Sequence, residues 1–219
     1  MEKETREAMD TLADLFKESV RNHRRKVAVI YGDKRYSYGE LMDRARHIEV
    51  SLKAQGIKKG DRVALLLKNC PEYIPSFYGI LMAGAVVVPV NNFLKADEVM
   101  HILNDCGVRI LISSNDFSDI HQALRGRIPT LQGIYFVEHE FTEVGRSAEI
   151  PPPGLKPEDV AVIIYTSGTT GKSKGAMLTH RNLVANVRSC RKALGTVHDD
   201  RFTLLLPMFH SFMMTVCML

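Results

Sequence analysis

Cysteine is sparse and scattered. Cys70, Cys106, Cys190 and Cys217 lie far apart with no C-x-x-C pair, and the opening MEKETREAMD has none of the apolar stretch of a signal peptide. Both absences speak against an oxidising compartment and for a reducing cytoplasm. A long block of like charge is missing too. Lys and Arg total 29 against 25 for Asp and Glu, both signs are interspersed, and the +4 balance leaves no nucleic-acid footprint. There is no internal repeat. What is present, 45% hydrophobic and 25% charged residues over 219 positions, excludes disorder and collagen-like structure and leaves a folded globular chain.

One long hydrophobic run exists, Phe202 to Leu219, but Pro207 and His210 sit in its middle, which argues against a membrane span. It reads instead as a buried strand over Phe202 to Leu206, a polar-tipped turn, and the first turns of a helix. That helix stops on Cys217, Met218 and Leu219 without a Gly, Asn or basic cap, so the expectation is a piece of a longer protein.

Along the chain, Leu12, Leu15, Phe16 and Val20 mark a helix near 10–22. Gly32-Asp33 joins two short strands, Val27 to Tyr31 and Lys34 to Tyr36. Ser37 and Glu40 have the spacing of a capping box, and Tyr38, Leu41, Ala45, Ile48 and Leu52 then line one helical face up to Gly56. Strand-like runs at Val63 to Leu67, Ala85 to Val90, Val108 to Ile112 and Ile134 to Val137 alternate with helical stretches at 71–82, 96–106 and 116–124. Such alternation predicts an α/β fold of mostly parallel sheet covered by helices. The unbroken apolar runs fit strands buried on both faces. The organisation expected is a first α/β subdomain over 1–139, a Pro- and charge-rich linker or surface loop over 140–159, and the start of a second sheet or subdomain over 160–219.

The chemistry concentrates in Thr166-Ser-Gly-Thr-Thr-Gly-Lys-Ser-Lys-Gly175, directly after the buried-type strand Val160 to Tyr165. Glycines let backbone N–H groups approach a ligand, hydroxyls donate, and lysines supply charge, so the segment suits a polyphosphate. It is not a Walker A loop, because Thr166 stands where the first glycine is required, and Ala176 to Leu178 reads as a returning strand rather than a helix. G-x-G-x-x-G is absent as well.

Tyr165 through Gly175 resembles the phosphate-binding signature of the adenylate-forming enzymes, the superfamily of acyl-CoA synthetases, peptide-synthetase adenylation domains and luciferase. Tyr36-Ser-Tyr-Gly-Glu-Leu41, Leu81 through Asn91, and Leu206-Pro-Met-Phe-His210 resemble three further motifs, in family order. One position departs: the family has Pro where this chain has Ser173, which loosens the loop without removing its donors. The resemblance implies the large N-terminal domain of such an enzyme, incomplete here. It also implies a two-step reaction, in which a carboxylate attacks the α-phosphorus of ATP and CoA then takes the acyl group. On that basis Thr166, Ser167, Gly168, Thr169, Thr170, Gly171 and Lys174 grip the phosphates, Thr166 also contacts Mg²⁺, and His210 lines the carboxylate site and acts with Lys174 in catalysis. Lys172 reads as solvent-facing and His180 as structural. Pro89-Val-Asn91 resembles the acyl-CoA synthetase form and favours fatty or aryl acids, with peripheral membrane contact if the acid is long-chain. In relatives the acid pocket, a Mg²⁺-binding Glu, a ribose-binding Asp and a mobile C-terminal domain come from later segments. Two other readings stand beside this one: a non-catalytic piece that folds or binds nucleotide only, and a P-loop-type kinase.

Overall fold

The computed structural model describes residues 11–140, 153–166 and 172–219. Helix α1, Leu12–His23, starts where the Thr11 side chain accepts the Asp14 N–H at 3.2 Å, which ties off one free amide of the first turn. Strands β1, Val27–Tyr31, and β2, Lys34–Ser37, form an antiparallel ribbon that turns at Gly32, whose φ of 56° lies in the region glycine adopts without strain. Helix α2, Tyr38–Ala54, opens with the expected capping box. Ser37 Oγ accepts from Glu40 N, and Glu40 Oε2 accepts from Ser37 N at 2.7 Å.

From there strand and helix alternate: β3 Arg62–Leu66, α3 Tyr73–Met82, β4 Val86–Pro89, α4 Ala96–Asp105, β5 Val108–Ser113, α5 Ser118–Leu124, β6 Gly133–Phe136 and the short α6 Val137–Glu140. Next come β7 Val160–Thr166, β8 Lys174–Thr179, α7 His180–Leu194 and the one-turn α8 Ser211–Met213, which runs into a π turn over Met214–Met218. Six strands make one sheet in the order β6-β5-β3-β4-β7-β8, parallel up to β7 and closed by the antiparallel β8.

Odd and even residues of the central strands feed two cores, as strands covered on both faces must. Val63, Leu65 and Val87 pack under α1, α2 and α3, whereas Ala64, Leu66 and Val88 pack under α4 and α5. Helices α2 and α3 approach closely at Gly79, where a Cβ would lie 2.6 Å from the Ala45 carbonyl and 2.7 Å from Ile48 Cβ. Gly79 lets α3 seat directly on α2. His180, fully buried at the start of α7, locks α1 to this core: its Nδ1 accepts the Leu12 N–H at 3.2 Å.

Two expectations need correction. No second sheet begins at 160, because β7 pairs in parallel with β4 at Val87 and Val162 and so extends the first sheet. Apolar residues on the edge of an unfinished sheet gain more by extending it than by starting another. The segment 202–206 is not a buried strand either. Its backbone pairs with no described strand, and Leu205 is 82% exposed. An apolar run becomes a strand only when a sheet edge accepts it. Among the described residues no helix is long and apolar enough to cross a membrane.

Candidate phosphate-binding hairpin and carboxylate-side turn

Strands β7 and β8 are tightly registered antiparallel partners: Ile163 lies opposite Met177, Tyr165 opposite Gly175, and Thr166 opposite Lys174. Residues directly opposite on antiparallel strands project to the same face. Thr166 and Lys174, both exposed, therefore share a face at the open end of the hairpin. By alternation with Val162 and Ile164 it is the face of the α1–α3 core, which also takes in Met208 and Met214. Lys174 begins a strand, two residues earlier than its Gly- and Ser-rich surroundings indicated. The other phosphate residues named from sequence, Ser167, Gly168, Thr169, Thr170 and Gly171, lie outside the described residues. Lys172 is exposed, as expected.

Gly175 has a packing reason. A Cβ there would meet Ile163 Cγ2 at 2.8 Å and the Tyr165 ring at 3.1 Å, so only glycine lets that ring lie across the neighbouring strand. The Tyr165 hydroxyl then donates to Asp105 Oδ2 at 2.5 Å. Burial, reinforced by that hydrogen bond, pushes the phenol above its ordinary range, so it stays a donor.

His210 sits elsewhere in the fold, at the entry to α8, exposed, with Nδ1 accepting the Phe212 N–H at 3.3 Å. The turn that carries it is seated over the C-terminal ends of β3 and β4. Asn69, just after β3, grips it with both amide atoms: Nδ2 donates to Leu206 O at 2.9 Å and Oδ1 accepts from Met208 N at 2.8 Å. Phe93, just after β4, meets Phe209 edge to face at 6.1 Å. Helix α3 leaves β3 toward one face of the sheet and α4 leaves β4 toward the other, as their two cores show. The gap between β3 and β4 is thus a topological switch point, the place where open α/β sheets form their binding crevice. Sequence reading missed Asn69, whose only signal is its position directly after an apolar strand.

A cavity of about 240 Å³ lies instead at the N-terminal ends of β3, β4 and β7, beside Lys59, Arg62 and Asp159. Its cations are engaged: Arg62 donates to the Gly60, Cys106 and Gly107 carbonyls, and Lys59 pairs with Asp159 at 2.6 Å. Those bonds brace loops and leave the cavity without the free donors that an anion needs.

Residues 16–219 match the family model described as AMP-binding enzyme. The chain belongs to the AMP-binding enzyme family. Its curated relatives include a long-chain-fatty-acid–CoA ligase of Escherichia coli O6:H1, 30% identical over 95% of this chain and 44% of that protein. Another is the long-chain-fatty-acid–CoA ligase FadD13 of Mycobacterium tuberculosis, 36% identical over 81% of this chain and 36% of that protein. Among solved structures, the anthranilate CoA ligase AuaEII in complex with anthranoyl-AMP superposes with a TM-score of 0.81 at 26% identity, over 94% of this chain and 40% of that one. The chain spans less than half the length of the curated relatives it matches. Strand β8 follows residues 167–173 where a P-loop kinase requires a helix, which removes the basis for that reading.

Proposed function

We propose that the whole protein activates a carboxylic acid, fatty or aryl, by joining it to AMP from ATP, and then passes the acyl group to CoA. The observation that carries this reading is the register of the hairpin, which puts Thr166 and Lys174 on one face at the two ends of the signature loop. Attack of the carboxylate on the α-phosphorus expels pyrophosphate, and negative charge builds on the departing oxygens. Lys174 meets that charge with its ammonium group, and the loop donors between the strands share it. Groups already in place when charge develops lower the barrier without reorganising.

The family also implies Mg²⁺. Thr166, with an exposed side chain at the end of β7, suits one oxygen position of a cation that prefers phosphate and water oxygens. Among the described residues no cluster of three His, Cys, Asp or Glu side chains could hold a metal alone. When bound, Mg²⁺ supplies charge neutralisation at the phosphates. His210, presented by the Asn69-held turn, orients the carboxylate. No proton needs removing from an acid that is already ionised at neutral pH.

The test is incubation of the whole protein with Mg-ATP and a panel of fatty and aryl acids. Acid-dependent release of AMP and pyrophosphate, with CoA thioester when CoA is added, is the expected result. Release of ADP, or no dependence on any carboxylate, overturns the reading.

A further inference from the structure

Helix α4 touches the hairpin at both limbs of the loop. His101 and Asp105 are four residues apart, hence on one face of α4. The opposite side of the helix is fixed to the sheet by Val99, Ile102 and Leu103, all buried to 1% exposure or less. His101 Nε2 donates to the Ser173 carbonyl at 3.2 Å, on the limb that leaves the loop. Asp105 Oδ2 accepts from the Tyr165 hydroxyl at 2.5 Å, on the limb that enters it. Tyr165 precedes Thr166, and Ser173 precedes Lys174, so each contact is one residue from a candidate phosphate ligand.

We propose that His101 and Asp105 are positioning residues that set the separation and pitch of the two limbs of the phosphate-binding hairpin, acting through Ser173 and Tyr165. This rests on the adenylating reading given above. The geometry is that of a ruler. A rigid helix makes two contacts, 3.2 Å and 2.5 Å long, to the strand ends on either side of the loop. The Tyr165 contact cannot relax sideways, since its ring is trapped across Gly175. On the other limb the Ser173 carbonyl is held by the hydrogen bond from α4. Holding the limbs sets the spacing of Thr166 and Lys174 before ATP arrives, so that ordering cost is not met at the moment of binding or reaction.

The two half-reactions separate positioning from general damage. Pyrophosphate must be gripped during adenylation but has left before thioester formation. In the whole protein, His101→Ala and Asp105→Ala are each expected to slow carboxylate-dependent ATP–pyrophosphate exchange roughly tenfold, the worth of one good hydrogen bond. The effect should appear in kcat or in the KM for ATP, with the KM for the acid unchanged. Conversion of supplied acyl-adenylate and CoA to thioester should proceed at the unsubstituted rate, which also shows that the variants are folded. His101→Gln and Asp105→Asn keep a donor and an acceptor at the same places and should recover most of the exchange rate. Tyr165→Phe combined with Asp105→Ala should be no worse than either alone. Exchange at the unsubstituted rate in the alanine variants, equal slowing of both half-reactions, or no recovery in the conservative variants overturns the proposal. An unsubstituted protein that shows no exchange with any acid, yet is folded, removes the adenylating reading itself and the proposal with it.

Discussion

Thr166 and Lys174 stand opposite each other in the register of β7 and β8, at the point where the hairpin opens. Register of this kind is a consequence of the side-chain pattern. A slip by one residue would bring a side chain instead of Gly175 against the Tyr165 ring and would move Lys174 to the other face.

Lys174→Ala removes one charge-assisted contact to the departing pyrophosphate. The expected loss is roughly 1.5 to 3 kcal/mol in the adenylation step. Acid-dependent pyrophosphate release checks it, and thioester formation from supplied adenylate should suffer much less. Unchanged adenylation kinetics would contradict the role given to this lysine.

Asn69→Ala leaves Leu206 O and Met208 N without their side-chain partner. The turn beneath His210 loosens, and the KM for the acid should rise about five- to tenfold, the equivalent of about 0.5 to 0.7 kcal/mol for each of the two lost hydrogen bonds. Asn69→Asp keeps the acceptor for Met208 and should lie between the two. Steady-state kinetics with varied acid at saturating ATP reads the difference.

Gly79→Ala forces a methyl group against the α2 backbone at Ala45. Backbone cannot swing aside as a side-chain tip can, so α2 and α3 must separate. A destabilisation of about 1 to 3 kcal/mol is expected by denaturant unfolding, without a change in which acids are used.

His180 makes stability depend on pH. Burial dominates and drives its pKa down to about 4, against the opposing pull of Asp159 and Asp14, with Lys59 adding to the depression. The native state therefore holds the ring neutral, with Nδ1 accepting from Leu12 N and the buried Nε2 unpartnered among the described residues. In the unfolded chain the ring has its ordinary pKa near 6.5. The unfolded state thus binds the proton more readily as pH falls. The contribution is fully present above pH of about 6.5 and is lost progressively down to about 4, amounting to about 3 kcal/mol. Unfolding free energies across that interval should fall more steeply for the native sequence than for His180→Gln. Parallel slopes would show that the ring is not held neutral.

The helices and parallel strands were legible because their signals are local. Ser37 and Glu40 cap one helix, Gly32 and Gly56 adopt the positive φ that a turn or helix end requires, and the double-sided apolar runs of β3 and β4 admit little else. The destination of β7 was not legible. Its apolar pattern is the same whether it founds a new sheet or joins an old one, and only the free edge of β4 decides. The segment 202–206 failed for the converse reason, since its composition suits a strand but no described edge receives it. At the candidate site the residue types of 166–175 suggest a phosphate ligand, and what the structure adds is the register that sets Thr166 opposite Lys174. The supports could not: Asn69 is 137 residues from Leu206, and Asp105 is 60 from Tyr165, and no local pattern links such pairs.

Oxygen tracing tests the central claim most directly. The whole protein is given Mg-ATP, CoA and a carboxylic acid labelled with ¹⁸O in both carboxyl oxygens, and the nucleotide product is weighed by mass spectrometry. If the hairpin holds the phosphates so that the carboxylate attacks the α-phosphorus, the product is AMP carrying one ¹⁸O atom. Unlabelled AMP, or ADP with the label in inorganic phosphate, would contradict the account.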